Sequence, residues 1–546
     1  MSAKRENSVW TNTATANKTI GDHSFNLLLG EEEQRTSGDQ FGLNRTNQSD
    51  PFYTNIQGGF GTVVISNTAN QVYNQYLYSL FSRLQYNYKR KYLFSANLRQ
   101  DQSSVLGKNN KSGVFWGFSG GWEITQEDFW HAASFDNIFS SFKIRGSYGK
   151  VGNLNGIGDF ASLSTYSANL YGGLAGLYYS AAGNPELKWE TSKKTDVGLN
   201  FGLFNDRITG EISYYKNNID GLIFAVPTPS SAGLPGSTQN SVLANVGSMY
   251  NKGLEISLNA NLVADKNFSW NTSLNISLNK NKIKSLSPTV SNLLINGLGG
   301  SSDLVSISLP GYPVGMIYAI PTAGVDPASG RRVFINSAGR KVLYQQVPPA
   351  GRSQWEYEDG TKANAVTTTA DGVVYRKTNT GAYGGFINTF HYKGFDVDVL
   401  ITYQFGGYMY YGTQGTLMDG RFANNSTKIL ARWQKPGDIT DIPRVEDGDF
   451  TSWGYSLPIT ANVYSSDYIR LKNLTVSYNL PASLIRKMQI SGIKVYASGQ
   501  NLAINTRYPG ADPEVTTTGN GTATQGFDRN MMPNARIVTF GIKVGF

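Results

Sequence analysis

Few residues of this chain are placed to do chemistry. Gly117-Phe-Ser119-Gly-Gly121 has the G-x-S-x-G spacing of a nucleophile elbow, a sharp strand-to-helix turn that lifts a serine hydroxyl toward its base. Here Val114-Phe-Trp precedes the motif and Trp122-Glu-Ile follows it, so one strand runs through Ser119 and no helix receives it. The three histidines, His23, His131 and His391, are far apart in sequence, and no H-E-x-x-H pattern occurs. Cysteine is absent, which excludes a disulfide scaffold, a Cys-ligated zinc site and an iron–sulfur centre. Asn296-Gly-Leu-Gly-Gly300 lacks the Lys-Ser/Thr that completes a phosphate loop and reads as a flexible loop. Glu31-Glu-Glu33, Glu356-Tyr-Glu-Asp359 and Glu446-Asp-Gly-Asp449 could pair carboxylates for acid–base work or for calcium. They fall at strand ends or in long polar loops, and we read them as solvated. The chain is therefore expected to be no enzyme, with no catalytic residue, no metal site and no cofactor.

Ring surface remains: 9 Trp, 32 Tyr and 27 Phe. Trp355, Tyr408, Tyr410, Tyr411, Trp433 and Trp453 stand in long loops, where flat rings can stack on sugar or peptide groups; packing loop against loop, or against a partner, is their other use. The elements that carry them show a period of two. In 196–203, Val197, Leu199, Phe201 and Leu203 alternate with Asp196, Gly198, Asn200 and Gly202. The same holds for Ile256, Leu258, Ala260 and Leu262, for Trp270, Leu274, Ile276 and Leu278, and for the last segment with Val538, Phe540, Ile542, Val544 and Phe546. Successive side chains of a strand point to opposite faces, so each segment has one apolar and one polar face.

About fourteen such strands are expected, near 22–32, 78–88, 91–102, 113–125, 142–149, 191–204, 208–217, 252–263, 267–280, 383–392, 395–405, 468–480, 493–503 and 535–546. Most approach the ~9–11 residues of a membrane-crossing strand. Short links at 89–90, 205–207, 264–266 and 393–394, with medium ones at 126–141 and 481–492, alternate with long connections such as 150–190, 218–251, 281–382, 406–467 and 504–534. Short turns on one side and long loops on the other is the plan of an outer-membrane β-barrel, and an even strand count puts both ends of the segment on the short-turn side. A connection as long as 281–382 is expected to hold structure of its own. No run approaches ~18 apolar residues, which excludes a helical membrane protein, and the mean hydropathy of −0.32 suits alternating strands. A net charge of +9 is dilute over 546 residues, and the longest basic run is Lys89-Arg90-Lys91, so no nucleic-acid partner is expected. In a barrel, Trp116, Trp122, Trp270, Tyr86 and Tyr88 would form aromatic girdles at the lipid–water boundary. The interior would carry Asn200, Glu211, Asn259, Asn261, Asn271, Asn275 and Asp398.

Five stretches resemble SusC/RagA-type TonB-dependent transporters: Gly183-Asn-Pro-Glu-Leu-Lys-Trp-Glu through Tyr214-Tyr215-Lys216; Phe142-Lys-Ile-Arg-Gly-Ser-Tyr-Gly-Lys-Val-Gly-Asn; Tyr468-Ile-Arg-Leu-Lys-Asn-Leu; Gly499-Gln-Asn-Leu with Tyr508-Pro-Gly-Ala-Asp-Pro-Glu; and Pro533 to Phe546. The resemblance implies an all-β fold, an antiparallel transmembrane β-barrel in the Gram-negative outer membrane, of which about fourteen strands of some 22 lie here. It implies uptake of oligosaccharide or peptide with a SusD-like surface lipoprotein, driven by the TonB complex. Phe540, Ile542, Val544 and Phe546 would form the barrel-closing strand. Asp326-Pro-Ala-Ser-Gly330 through Gly339 resembles a family segment often richer in acids; Ala338 and Arg340 stand where oxygen ligands would be expected. Met1-Ser-Ala-Lys-Arg-Glu-Asn-Ser has no apolar segment after its basic residues. Signal peptide, TonB box and plug are not recognised, and residues 1–546 are read as the C-terminal part of the barrel, a fragment not competent alone. TonB would then be reached only through the missing N-terminal region. A surface glycan-binding or adhesin-like β-protein without transport is the alternative.

Overall fold

The computed structural model describes residues 2–546 apart from 42, 51, 53–59, 66–70, 173, 229–240, 287–292, 297–303, 419–423, 486–489 and 518–524. Residues 297–300 of the glycine-rich segment therefore lie outside the described residues. Fifteen strands form one sheet in chain order: β1 (Ser2–Ile20), β2 (His23–Phe41), β3 (Gln71–Tyr88), β4 (Tyr92–Ser103), β5 (Ser112–Glu123), β6 (Phe139–Asn153), β7 (Glu190–Leu203), β8 (Ile208–Pro227), β9 (Ser241–Ala264), β10 (Phe268–Leu286), β11 (Ala382–Tyr392), β12 (Phe395–Phe405), β13 (Tyr468–Asn479), β14 (Gly492–Thr506) and β15 (Ile537–Gly545). Neighbours are antiparallel, as a meander requires. Among the described residues the sheet order starts at β1 and stops at β15.

Two expectations change. Ser2–Ile20 is a nineteen-residue strand, in full register with β2 from Ser2↔Phe41 to Ile20↔His23. Its outward-facing set includes Trp10, Asn12, Ala14, Ala16, Lys18 and Ile20, too mixed for alternation to mark it. With this strand the count is odd, so the chain starts on the long-loop side and ends on the short-turn side. Strands β8 and β9 also run on to Pro227 and from Ser241, which shortens the expected connection 218–251 to 228–240.

The short turns explain their own geometry. Lys393 and Gly394 both have positive φ, 46° and 94°, as a twist-matched two-residue hairpin requires. Phe204, Asn205 and Asp206 are likewise left-handed, and the Ser140 hydroxyl donates to Asp206 Oδ1 at 2.6 Å.

By compactness the chain divides into residues 1–134, 143–197 and 216–249, and residues 135–142, 198–215 and 250–546. In the first unit, a ring series follows the short-turn ends: His23 to Tyr88 at 4.7 Å, Tyr88 to Tyr92 at 6.3 Å and Tyr92 to Trp122 at 6.4 Å. Trp116 lies toward the other end of β5, edge-on to Tyr148 at 5.5 Å. Its outer connections pack on Val105, Leu106, Ile157 and Leu187. The Gly183–Glu190 stretch is explained there: Leu187 is fully buried, Trp189 meets Phe115 edge-on at 5.1 Å, and Asn184 Nδ2 donates to the Leu243 carbonyl at 2.8 Å.

In the second unit the two faces of the sheet are distinct. Val397 and Val399 of β12 lie opposite Val476 and Leu474 of β13, and Trp270 of β10 stacks on Phe390 of β11 at 5.5 Å. The other face carries a polar lattice. Asn200 Nδ2 donates to Glu211 at 3.1 Å, Ser273 to Asn259 at 2.7 Å, the Gly385 amide to Asn275 at 2.9 Å, and Thr389 to Asp398 at 2.8 Å. Asp396 accepts from Lys494 at 3.0 Å and Asn479 at 2.9 Å and bonds His391 Nδ1 at 2.7 Å. A sheet whose apolar face stays exposed, as at Leu278, Val476 and Ile542, while its other face is hydrogen-bonded and polar, suits hydrocarbon on one side and water on the other.

Candidate ligand-capture site on the outer loops

The long connections of the second unit fold together. Thr322–Val325, Arg332–Ile335, Lys341–Tyr344 and Trp355–Tyr357 make a four-stranded sheet, which confirms structure within 281–382. Its tight turns account for the Asp326 segment: Asp326 Oδ2 caps the Ser329 amide at 3.0 Å, Gly330 has φ +72°, and Asn336 Oδ1 accepts the Arg340 amide at 2.8 Å. Among the described residues no cluster of His, Asp and Glu is arranged to hold a metal ion.

Three loops share two apolar cores. Ile320, Phe334, Val342, Tyr344, Val366 and Ile459 form one; Val305, Ile317, Ala319, Tyr410 and Phe527 form the other. Backbone bonds cross between loops: Ile320 N to Pro458 O at 2.8 Å, Thr460 N to Ile320 O at 3.0 Å, and Tyr410 N to Gly526 O at 2.8 Å. Phe527 pairs in parallel with Tyr410, so the connection after β14 is woven into the one after β12.

Several buried charges here are paired or hydrogen-bonded. Arg331 Nη1 meets Glu356 Oε2 at 2.9 Å and Arg352 Nη2 reaches the same oxygen at 2.8 Å. Burial pushes the Glu356 carboxyl up, but bonds from Arg331, the Ser353 amide and Arg352 outweigh it and hold it below the ordinary range. Arg332 is buried and donates to the carbonyls of Ser452 and Asp441, both at 3.0 Å; burial pulls its guanidinium down to about 10, with Asp441 and Asp449 opposing. Two of the sequence stretches meet at Arg470, which is 3 % exposed and pairs with Asp512 and, at 3.0 Å, with Glu514. Asp512 also accepts the Asn534 amide at 3.1 Å, and the Tyr508 hydroxyl donates to Asp528 at 2.6 Å. Tyr508-Pro-Gly-Ala-Asp-Pro-Glu is thus a latch that fixes the connection after β14 to the outer end of β13. Sequence reading missed Arg470, Asp512 and Glu514 as a unit, although the quoted stretches contain all three.

The six loop aromatics are placed unequally. Tyr410 and Trp453 are 2 % and 3 % exposed, and the Tyr410 hydroxyl donates to Gly454 O at 2.9 Å, so both rings serve packing. Trp355 is half-buried between Phe334 at 5.2 Å and Tyr344 at 4.6 Å. Trp433 is half-buried over Gly330, its Nε1 donating to Pro327 O at 2.9 Å. Tyr408 lies 5.0 Å from the Arg376 guanidinium, and Tyr411 meets Tyr508 edge-on at 5.5 Å with Lys428 over its ring. Tyr408 and Tyr411 therefore combine a partly open ring with a cation close by, a combination that can hold a flat or anionic group. Ser119 sits in the middle of β5, opposite Ser95 and Ser147, which leaves no elbow. In β15, Phe540 and Ile542 are strongly exposed and Val544 less so, and Phe546 just after the strand is strongly exposed too; Phe540 pairs with Ala497 and Ile542 with Val495 of β14.

The family model "TonB dependent receptor-like, beta-barrel" matches residues 2–502. TonB-dependent receptor P3 of Formosa agariphila is 31 % identical over 99 % of this chain and 52 % of its own length, and the TonB-dependent receptor SusC of Bacteroides thetaiotaomicron 27 % identical over 97 % and 49 %. The chain thus spans about half the length of the curated relatives it matches. Among solved structures, the RagAB peptide importer in its closed-closed state superposes with a TM-score of 0.81 and 26 % identity, covering 100 % of this chain and 56 % of that one. The RagAB peptide transporter gives 0.79 and 25 % over the same shares. Taken with the fifteen-stranded two-faced sheet, these matches make this chain a member of the TonB-dependent receptor β-barrel family, of the SusC and RagA kind, a protein of the outer membrane.

Proposed function

We propose that this chain supplies barrel wall and outer loops to an importer that takes oligosaccharides or peptides across the outer membrane with a SusD-like surface lipoprotein, driven by TonB. The observation that carries the reading is the pairing of a polar, hydrogen-bonded sheet face with outer loops folded on cores of their own. A conduit needs the first and selective capture needs the second. The likeness to SusC and to RagAB supports the substrate classes, and the partly open Tyr408 and Tyr411, with Trp355 and Trp433, are the rings we assign to ligand contact. Residues 1–546 act in this reading as the C-terminal portion of the barrel, with Phe540, Ile542, Val544 and Phe546 on the strand that closes it.

The test is purification of the intact, C-terminally tagged protein from outer membranes in mild detergent. A surface lipoprotein should co-purify, and the complex should retain members of a casein-peptide pool or of a mixed plant-oligosaccharide pool. Recovery without a lipoprotein and with neither pool retained would sink the proposal.

A further inference from the structure

The outward face of β10 changes character abruptly along its length. Trp270, Leu274, Ile276 and Leu278 are followed on that face by Lys280, Lys282 and Lys284. The residues between them point the other way and are covered: Asn281 and Ile283 are buried, Asn281 Oδ1 accepts the Val314 amide at 3.0 Å, and Ile283 exchanges backbone bonds with Gly311 and Tyr312. The lysine side of the strand is thus fixed by the packing of its other side. On the neighbouring strand β9, Lys252 follows Ile256 and Leu254 on the same outward face, its Nζ 5.8 Å from the Tyr250 ring. Among the described residues no carboxylate lies within ion-pair distance of Lys252, Lys280 or Lys282.

Height identifies what meets these cations. Lys280 is ten residues beyond Trp270, which at ~3.3 Å per residue and a tilt of ~40° is about 25 Å along the membrane normal, the height of a barrel's apolar band. Trp270 lies near the short-turn end, so the lysines stand where the acyl chains of the outer leaflet give way to headgroups. Lys252, Lys280 and Lys282, outward-facing and without an acidic partner among the described residues, suit fixed, doubly charged anions.

We propose that Lys252, Lys280 and Lys282 form a binding site for the phosphate groups of outer-leaflet glycolipid. The site holds lipid to the wall of β9 and β10, and it rests on the outer-membrane placement, independent of what the protein imports. It is tested with the intact protein in detergent by native mass spectrometry, titrating purified lipid A, enzymatically dephosphorylated lipid A and sodium phosphate. Lipid A should bind the unmodified protein at least about tenfold more tightly than its dephosphorylated form, from a few-fold contribution per lysine at a charged surface. The triple variant K252Q/K280Q/K282Q should lose that difference, and K252R/K280R/K282R should keep it. Heat-modifiable mobility on gels shows that each variant retains its barrel. Equal binding of the two lipids overturns the proposal without any variant, as does undiminished lipid A binding by a folded triple Gln variant. Displacement of lipid A by micromolar phosphate would assign the lysines to a soluble anion and overturn it too.

Discussion

Glu127 shows how one carboxylate can hold an aromatic boundary in place. It accepts from the Tyr92 hydroxyl at 2.6 Å, from Trp122 Nε1 at 3.0 Å and from Lys91 at 3.1 Å, in the connection after β5. These donors, Tyr92 first, hold its carboxyl down at about 2. A lowered pKa means that its stabilising contribution is complete above the ordinary value near 4.5, shrinks as pH falls below that, and is gone below about 2. The difference in tryptophan emission between the folded protein and E127Q should therefore step near pH 2; a step near pH 4.5 would show that the tether does not exist. Glu356 acts differently, because it neutralises Arg331 out of water. Removing one partner of a buried pair costs about 3–5 kcal/mol. E356A should speed proteolysis within 331–357 severalfold while the heat-modifiable mobility of the barrel stays unchanged. Equal cleavage rates would contradict the role given to this pair. The two acids also show what spacing hides. Glu356 lies in an acidic run that reads as solvated, and only the fold brings Arg331, twenty-five residues away, to it.

At the scale of strands, the face assignment makes a direct prediction. Arg at Leu258 or Ile276 should impair membrane assembly more than Arg at Asn259 or Asn275, since a mid-bilayer Arg on the lipid face costs roughly 2–4 kcal/mol. Equal yields of heat-modifiable protein from both pairs would refute it. That assignment was legible in the sequence because a strand with hydrocarbon on one side and water on the other must alternate, and β7, β9, β10 and β15 do. Strand β1 was not legible, because its outward set mixes Trp10 and Ile20 with Asn12 and Lys18, and its pairing comes from backbone bonds to β2. The loops were legible only as needing structure. Their cores join Ile320 to Ile459 and Tyr410 to Phe527, more than a hundred residues apart, and no local period records such contacts. Rings in such loops cannot be sorted into packers and open surfaces from sequence, which is why Tyr410 and Trp453 looked the same as Tyr411. The latch has its own test: R470L leaves Asp512 buried without its cation, and trypsin should then cut at Arg507 or Arg529 faster than in the unmodified protein. Unchanged cutting would remove the latch from the account.

The fifteen-stranded sheet and the folded outer connections of the second unit are the parts that the import proposal uses. The elbow-like spacing around Ser119 lies within strand β5, and the Asp326 segment, which resembles an acid-richer family segment, forms tight turns. What is left is a surface that presents rings and charge outward and a polar face that can pass a hydrated ligand. The proposed import needs an energy source, and the relatives bear TonB-dependent receptor in their names. The most direct test is uptake in cells that carry the intact gene, with fluorescent casein peptides and fluorescent plant oligosaccharides supplied outside. We predict periplasmic accumulation of one pool, lost on deletion of the gene, restored by complementation and abolished by a protonophore. Accumulation that is unchanged by deletion, or that persists after the proton gradient has collapsed, would contradict the account.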